Sequence, residues 1–84
     1  ADKHGMSLIH MAIAFVINHP AVTSAILGPR TMDHLESQIG AADVVLTDEI
    51  LDAIDEIVPP GVTLHDADRG YDPPAIIEAA RRRR

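Results

Sequence analysis

The sequence lacks cysteine and tryptophan, and has one phenylalanine and one tyrosine among its 84 residues. Without cysteine there are no disulfides and no thiolate metal sites, so a thin core has no covalent staple. Phe15 and Tyr71 are very few aromatic side chains for an independent core. Basic residues are also scarce: 7 Lys and Arg stand against 13 Asp and Glu, for a formal net charge of −6. That balance argues against nucleic acid as a main partner, because a phosphate backbone asks for a basic face. The longest apolar run, Met11 to Ile17, is far short of the ~20 residues that span a bilayer. No basic region followed by an apolar stretch and a small-residue cleavage site opens the chain. Cytoplasmic residence, with no membrane partner, is the default expectation.

What is abundant is aliphatic surface. Hydrophobic residues make up 46% of the chain, nearly all of them non-aromatic. A chain this short buries only about 60–65% of the surface that its unfolded form exposes, so its own core is marginal. The mismatch implies surface meant to pack against something outside these residues.

The organising stretch is Val22-Thr23-Ser24-Ala25-Ile26-Leu27-Gly28-Pro29-Arg30-Thr31. Val22, Ala25, Ile26 and Leu27 are apolar, and two of them are β-branched, as a strand covered on both faces would be. Gly28-Pro29 stops that strand, since proline brings no amide hydrogen and glycine tolerates unusual backbone angles. Thr31 is a good N-cap for a helix from Met32 to Ala42. The first-turn amides, the positive end of the helix dipole and Arg30 then converge on one spot, which suits a phosphate. By composition alone this is a weak signal, and an Arg that merely sits in solvent is the favoured reading.

Around this anchor the chain is mostly helical. Residues 1–6 read as a polar, disordered leader, and residues 7–61 as a helix–strand–helix–helix segment. Ser7 caps a helix from Leu8 to about Asn18, closed by His19-Pro20. That helix is apolar on almost every side, as helices buried inside larger proteins are. In the helix after Thr31, Leu35, Ile39 and Ala42 form a narrow apolar stripe. A third helix spans Asp48 to Val58, with Thr47 as cap and Leu46 able to staple onto Leu51. Ile50, Leu51, Ile54, Ile57 and Val58 form its buried face, and Asp52, Asp55 and Glu56 its wet one. Pro59-Pro60-Gly61 ends it. Residues 62–84 form an irregular tail with a short helix from Ala75 to about Ala80. Helix alternating with one strand points to α/β construction.

Other chemistry-bearing residues have plain explanations. His65, Asp66 and Asp68 suit a solvated turn better than a metal site. His10 reads as a hydrogen-bonded interior or interface residue. The carboxylates from Asp48 to Glu56 serve as helix-surface charge and capping. Arg81 to Arg84 read as a solvated tail.

Between Ser7 and Gly61 the sequence resembles the C-terminal part of the aldo-keto reductases. The resemblance is carried by Ala12-Ile13-Ala14-Phe15-Val16, by His19-Pro20-Ala21 running on through Arg30-Thr31, by His34-Leu35-Glu36-Ser37-Gln38, and by Leu46-Thr47-Asp48-Glu49. The family fold is a (β/α)8 barrel of ~250 residues or more, with its active site at the C-terminal ends of the strands. The resemblance implies that this chain supplies helix 7, strand 8, helix 8 and the closing helix, and that it is mainly α in isolation. It also implies an NADPH-dependent reduction of aldehydes or ketones. Arg30 would pair with the cofactor's 2′-phosphate, helped by amides near Thr31 and His34. Gln38 and Ser37 would reach the adenine edge, and Leu27 and Gly28 would border the cofactor through backbone. The family's catalytic Asp, Tyr, Lys and His have no counterparts here, and Lys3 and Tyr71 do not match their motifs. No catalytic and no metal-binding residue is therefore expected in the chain, and the isolated 84 residues are expected to be inactive. The expected partner is the remaining barrel. The alternative reading is a non-enzymatic helical module that self-associates through its apolar helices.

Overall fold

The computed structural model describes residues 1–71 and Pro74. The short helix expected at Ala75–Ala80 and the Arg81–Arg84 run lie outside the described residues. Three α-helices carry the architecture: α1 (Leu8–Ile17), α2 (Met32–Ile39) and α3 (Asp48–Ile57). Short 3-10 turns occupy Asp2–His4, Gly40–Asp43 and Asp66–Asp68. The chain divides into two compact units, one of residues Ala1–Thr47 and a second that begins at Asp48.

Local chemistry sets the helix starts. Ser7 holds an extended backbone, and its hydroxyl accepts the His10 amide proton at 3.1 Å. Thr31 does the same for α2, accepting from the His34 amide at 3.2 Å. Both bonds satisfy a first-turn donor that the helix itself leaves without a partner. Before α1, the Asp2–His4 turn ends on Gly5 in the left-handed region, with φ of 66°.

In the first unit the buried residues are Met11, Ala14, Ala41 and Leu46. α1 packs chiefly on the Gly40–Asp43 turn, and the small side chains of Ala14 and Ala41, 1% and 0% exposed, permit the close approach. The rest of α1 stays open: Leu8, Ile9 and Val16 are exposed. In the second unit α3 buries Ile50 and Leu51.

Several sequence expectations need correction. The stretch Val22–Leu27 forms no strand, and the described residues hold no strand at all. Ile26 is 99% exposed, and the one backbone bond in this stretch joins the Val22 amide to the His19 carbonyl at 2.9 Å. A strand needs a neighbour to take up its ladder groups, and no neighbour is present among the described residues. The α/β alternation is thus absent: the described chain is helices, 3-10 turns and irregular connections, which agrees with a mainly α isolated chain.

α2 ends at Ile39 rather than Ala42, because the backbone tightens into the 3-10 turn at Gly40. A 3-10 segment turns 120° per residue against 100° in an α-helix, so the apolar register shifts. Ala41 is buried in place of Ala42, while Ile39 stays 65% exposed. The Leu35–Ile39–Ala42 stripe is therefore not the packing face. On α3, Ile57 is 81% exposed rather than buried; it is the last helical residue, and burial is concentrated at the opposite end of the helix. Asp55 is half-buried rather than fully wet.

Candidate functional site

The candidate site lies at the start of α2, within the first unit. Thr31 occupies the N-cap with φ −136° and ψ 164°. Its hydroxyl holds the His34 amide, and its carbonyl accepts the Leu35 amide proton at 3.1 Å. The amides of Met32 and Asp33 are left, since the first helical turn has no carbonyls behind it to receive them. Arg30, directly before the cap, is exposed and has no ion-pair partner among the described residues. A guanidinium beside open amides at the positive end of a helix can receive a doubly charged oxyanion. Asp33, in the same first turn, is the opposing charge.

The other expected contact residues are spread along the same ten positions. Leu27 is 36% exposed. Gly28 is not in the left-handed region, and a Cβ built on it meets nothing within 4 Å. Gly28 therefore does not use a left-handed backbone, and nothing among the described residues requires glycine there. The His34 amide, expected to join the anion-binding set, is occupied by Thr31. The Ser37 hydroxyl turns back along the helix and donates to the His34 carbonyl at 2.8 Å. Gln38 is half-buried, and its side-chain oxygen is out of solvent without a hydrogen-bond partner among the described residues. An unpaired buried oxygen is costly, so Gln38 is the polar group here that gains most from a new donor.

Two features were not foreseen from sequence. The open amides belong to Met32 and Asp33, an assignment that the Thr31-to-His34 capping spacing would have allowed. His10 reaches across from α1 and donates from Nε2 to the Ser37 carbonyl at 2.9 Å. Its character as a hydrogen-bonded residue was legible, but its partner was not.

Away from this site, His65 and Asp68 pair at 2.9 Å on a turn where both side chains are largely exposed. No group of three metal-capable side chains converges among the described residues. No described helix is long and apolar enough to cross a membrane.

Around this helix start the described helices leave aliphatic side chains such as Leu8, Ile9, Val16 and Met32 exposed. Residues 1–59 match the aldo/keto reductase family, and the chain belongs to that family. It is 37% identical over 57 residues to Protein tas of Escherichia coli (strain K12), an alignment covering 68% of this chain and 16% of that protein. Protein tas of Shigella flexneri matches at the same identity and coverage. The uncharacterized oxidoreductase YrpG of Bacillus subtilis (strain 168) is 40% identical over 50 residues, which cover 60% of this chain and 15% of that protein. The chain thus spans about a sixth of the length of these curated relatives. No solved structure matches it.

Proposed function

We propose that this chain is the C-terminal segment of an NADPH-dependent aldo-keto reductase and contributes the part of the cofactor site that holds the adenosine 2′-phosphate. In this reading α1 is helix 7 of a (β/α)8 barrel, Val22–Leu27 its eighth strand, α2 helix 8 and α3 the closing helix. The observation that carries the assignment is the placement of exposed Arg30 directly before the Thr31-capped start of α2, with two first-turn amides open. The guanidinium fork would take two phosphate oxygens, and the Met32 and Asp33 amides a third. Gln38, with Ser37 beside it, would reach the adenine edge. Gly28, which needs no glycine for its own backbone, would keep the ribose approach free of a side chain.

NADPH, when bound, supplies the hydride that reduces an aldehyde or ketone. In this reading the groups that move the proton would lie upstream of these residues, and those that shape the carbonyl pocket upstream or in the tail after Val62. The isolated chain would therefore reduce no carbonyl compound, and the remaining barrel, in the cytoplasm, would be its obligate partner. In the full-length reductase, Arg30→Ala should raise the KM for NADPH at least tenfold more than the KM for NADH, since it removes a charge-assisted contact. Equal effects on both cofactors would overturn the assignment.

A second reading is supported by Leu8, Ile9, Val16 and Ile26, which are all exposed. Exposed aliphatic side chains of this kind favour association, as in a helical module that pairs with itself. Sedimentation alone reports association in both cases. Recovery of NADPH binding on mixing the chain with the missing barrel portion is expected only of the reductase reading.

A further inference from the structure

Little holds α2 in place. None of its eight residues is buried, and a helix of that length does not persist without tertiary support. The bond that ties it down is at its far end. His10, half-buried on α1, donates its Nε2–H to the Ser37 carbonyl at 2.9 Å, across 27 positions of sequence. Ser37 lies in the last turn of α2, where helix carbonyls run out of amides ahead of them. The imidazole therefore supplies a missing donor and joins two helices with one bond.

Both sides of that bond are prepared for it. The backbone amide of His10 is itself fixed by the Ser7 cap at 3.1 Å. On the receiving side Gly40 leaves room for the ring: a Cβ there would stand 3.3 Å from Cε1 and 3.5 Å from Nε2 of His10. Arg30 and the open amides sit toward the other end of the same short rod, Met32 and Asp33 about 6–8 Å from Ser37 at 1.5 Å per residue. Displacement at one end of so short a helix is carried to the other.

We infer that His10 is a positioning residue for the cofactor: by holding the Ser37 carbonyl it places α2 so that Arg30 and the Met32 and Asp33 amides meet the nucleotide phosphate. The inference rests on the nucleotide reading above. His10 touches no cofactor atom in it and acts only through α2.

The test compares wild type, His10→Leu, His10→Gln, Gly40→Ala and Arg30→Ala in the full-length reductase, with KM for NADPH, kcat and thermal unfolding read for each. Leucine removes the donor and keeps the bulk, whereas glutamine returns an N–H near the position of Nε2. His10→Leu is expected to raise the NADPH KM about five- to tenfold with kcat retained, the size of one lost hydrogen bond. His10→Gln should recover most of the affinity, and Gly40→Ala should shift KM in the same direction as His10→Leu by crowding the ring. Wild-type KM in folded His10→Leu, or glutamine as impaired as leucine, overturns the inference. A raised KM in Arg30→Ala with none in His10→Leu sinks the positioning role alone. No response in Arg30→Ala sinks the phosphate reading beneath it. Should His10→Leu fail to fold, nitrogen-detected NMR of the wild-type enzyme decides: a slowly exchanging Nε2 proton on His10 is expected, and an Nδ1-protonated ring overturns the tie.

Discussion

The Oγ1 atom of Thr31 accepts the amide proton of His34 at 3.2 Å, and that bond settles which amides at the start of α2 stay open. With His34 occupied, any anion received there must use Met32, Asp33 and the side chain of Arg30. The cap thus has a double consequence, one for helix stability and one for the shape of the site.

Thr31→Ala removes the acceptor and leaves a third first-turn donor unpaired. Loss of such a cap costs about 1 kcal/mol. Chemical denaturation followed by circular dichroism should show that loss in Thr31→Ala and almost none in Thr31→Ser.

Gly28→Ala separates what the chain needs from what a ligand needs. A Cβ there meets no atom within 4 Å, and the backbone is not left-handed. Unfolding of the substituted 84-residue chain should match wild type to within about 0.5 kcal/mol. In the full-length reductase the same change should weaken NADPH binding measured by fluorescence titration. Equal affinity there would mean that the cofactor does not approach Gly28.

Leu51 and Ile57 lie six residues apart on α3 with opposite burial, 3% and 81% exposed. Leu51→Ala should destabilise by about 2–4 kcal/mol through lost transfer energy and the cavity it opens. Ile57→Ala should fall within about 0.5 kcal/mol of wild type. Urea midpoints of the two variants check the contrast, and similar values would place Ile57 in the packed face after all.

Ile26 is 99% exposed in the described chain. Ile26→Lys should therefore leave the unfolding midpoint of this chain unchanged and reduce its self-association by analytical ultracentrifugation. In the full-length reductase, where the segment is proposed as a barrel strand, the same lysine should cost about 3 kcal/mol or more, because it buries a charge without a partner. A tolerated lysine there would remove Val22–Leu27 from the barrel interior.

What the sequence determined by itself was local. Ser7 and Thr31 cap helices through bonds that span three residues, so residue type and spacing were enough to locate both starts. Pro59-Pro60-Gly61 and His19-Pro20 marked the ends for the same reason, since proline's missing amide acts wherever it stands. The strings from Ala12 to Val16 and from His19 to Thr31 likewise sufficed for the family. Tertiary structure alone decided the rest. Whether Val22–Leu27 becomes a strand depends on a neighbour that offers ladder groups, and no residue type can supply one. Ala41 replaced Ala42 in the packing because Gly40 tightened the backbone and rotated the register. The His10–Ser37 tie links positions 27 apart, where periodicity carries no information. Short-range hydrogen bonds are written in neighbouring residues, whereas ladders, packing registers and cross-helix bonds exist only once distant parts of the chain have met.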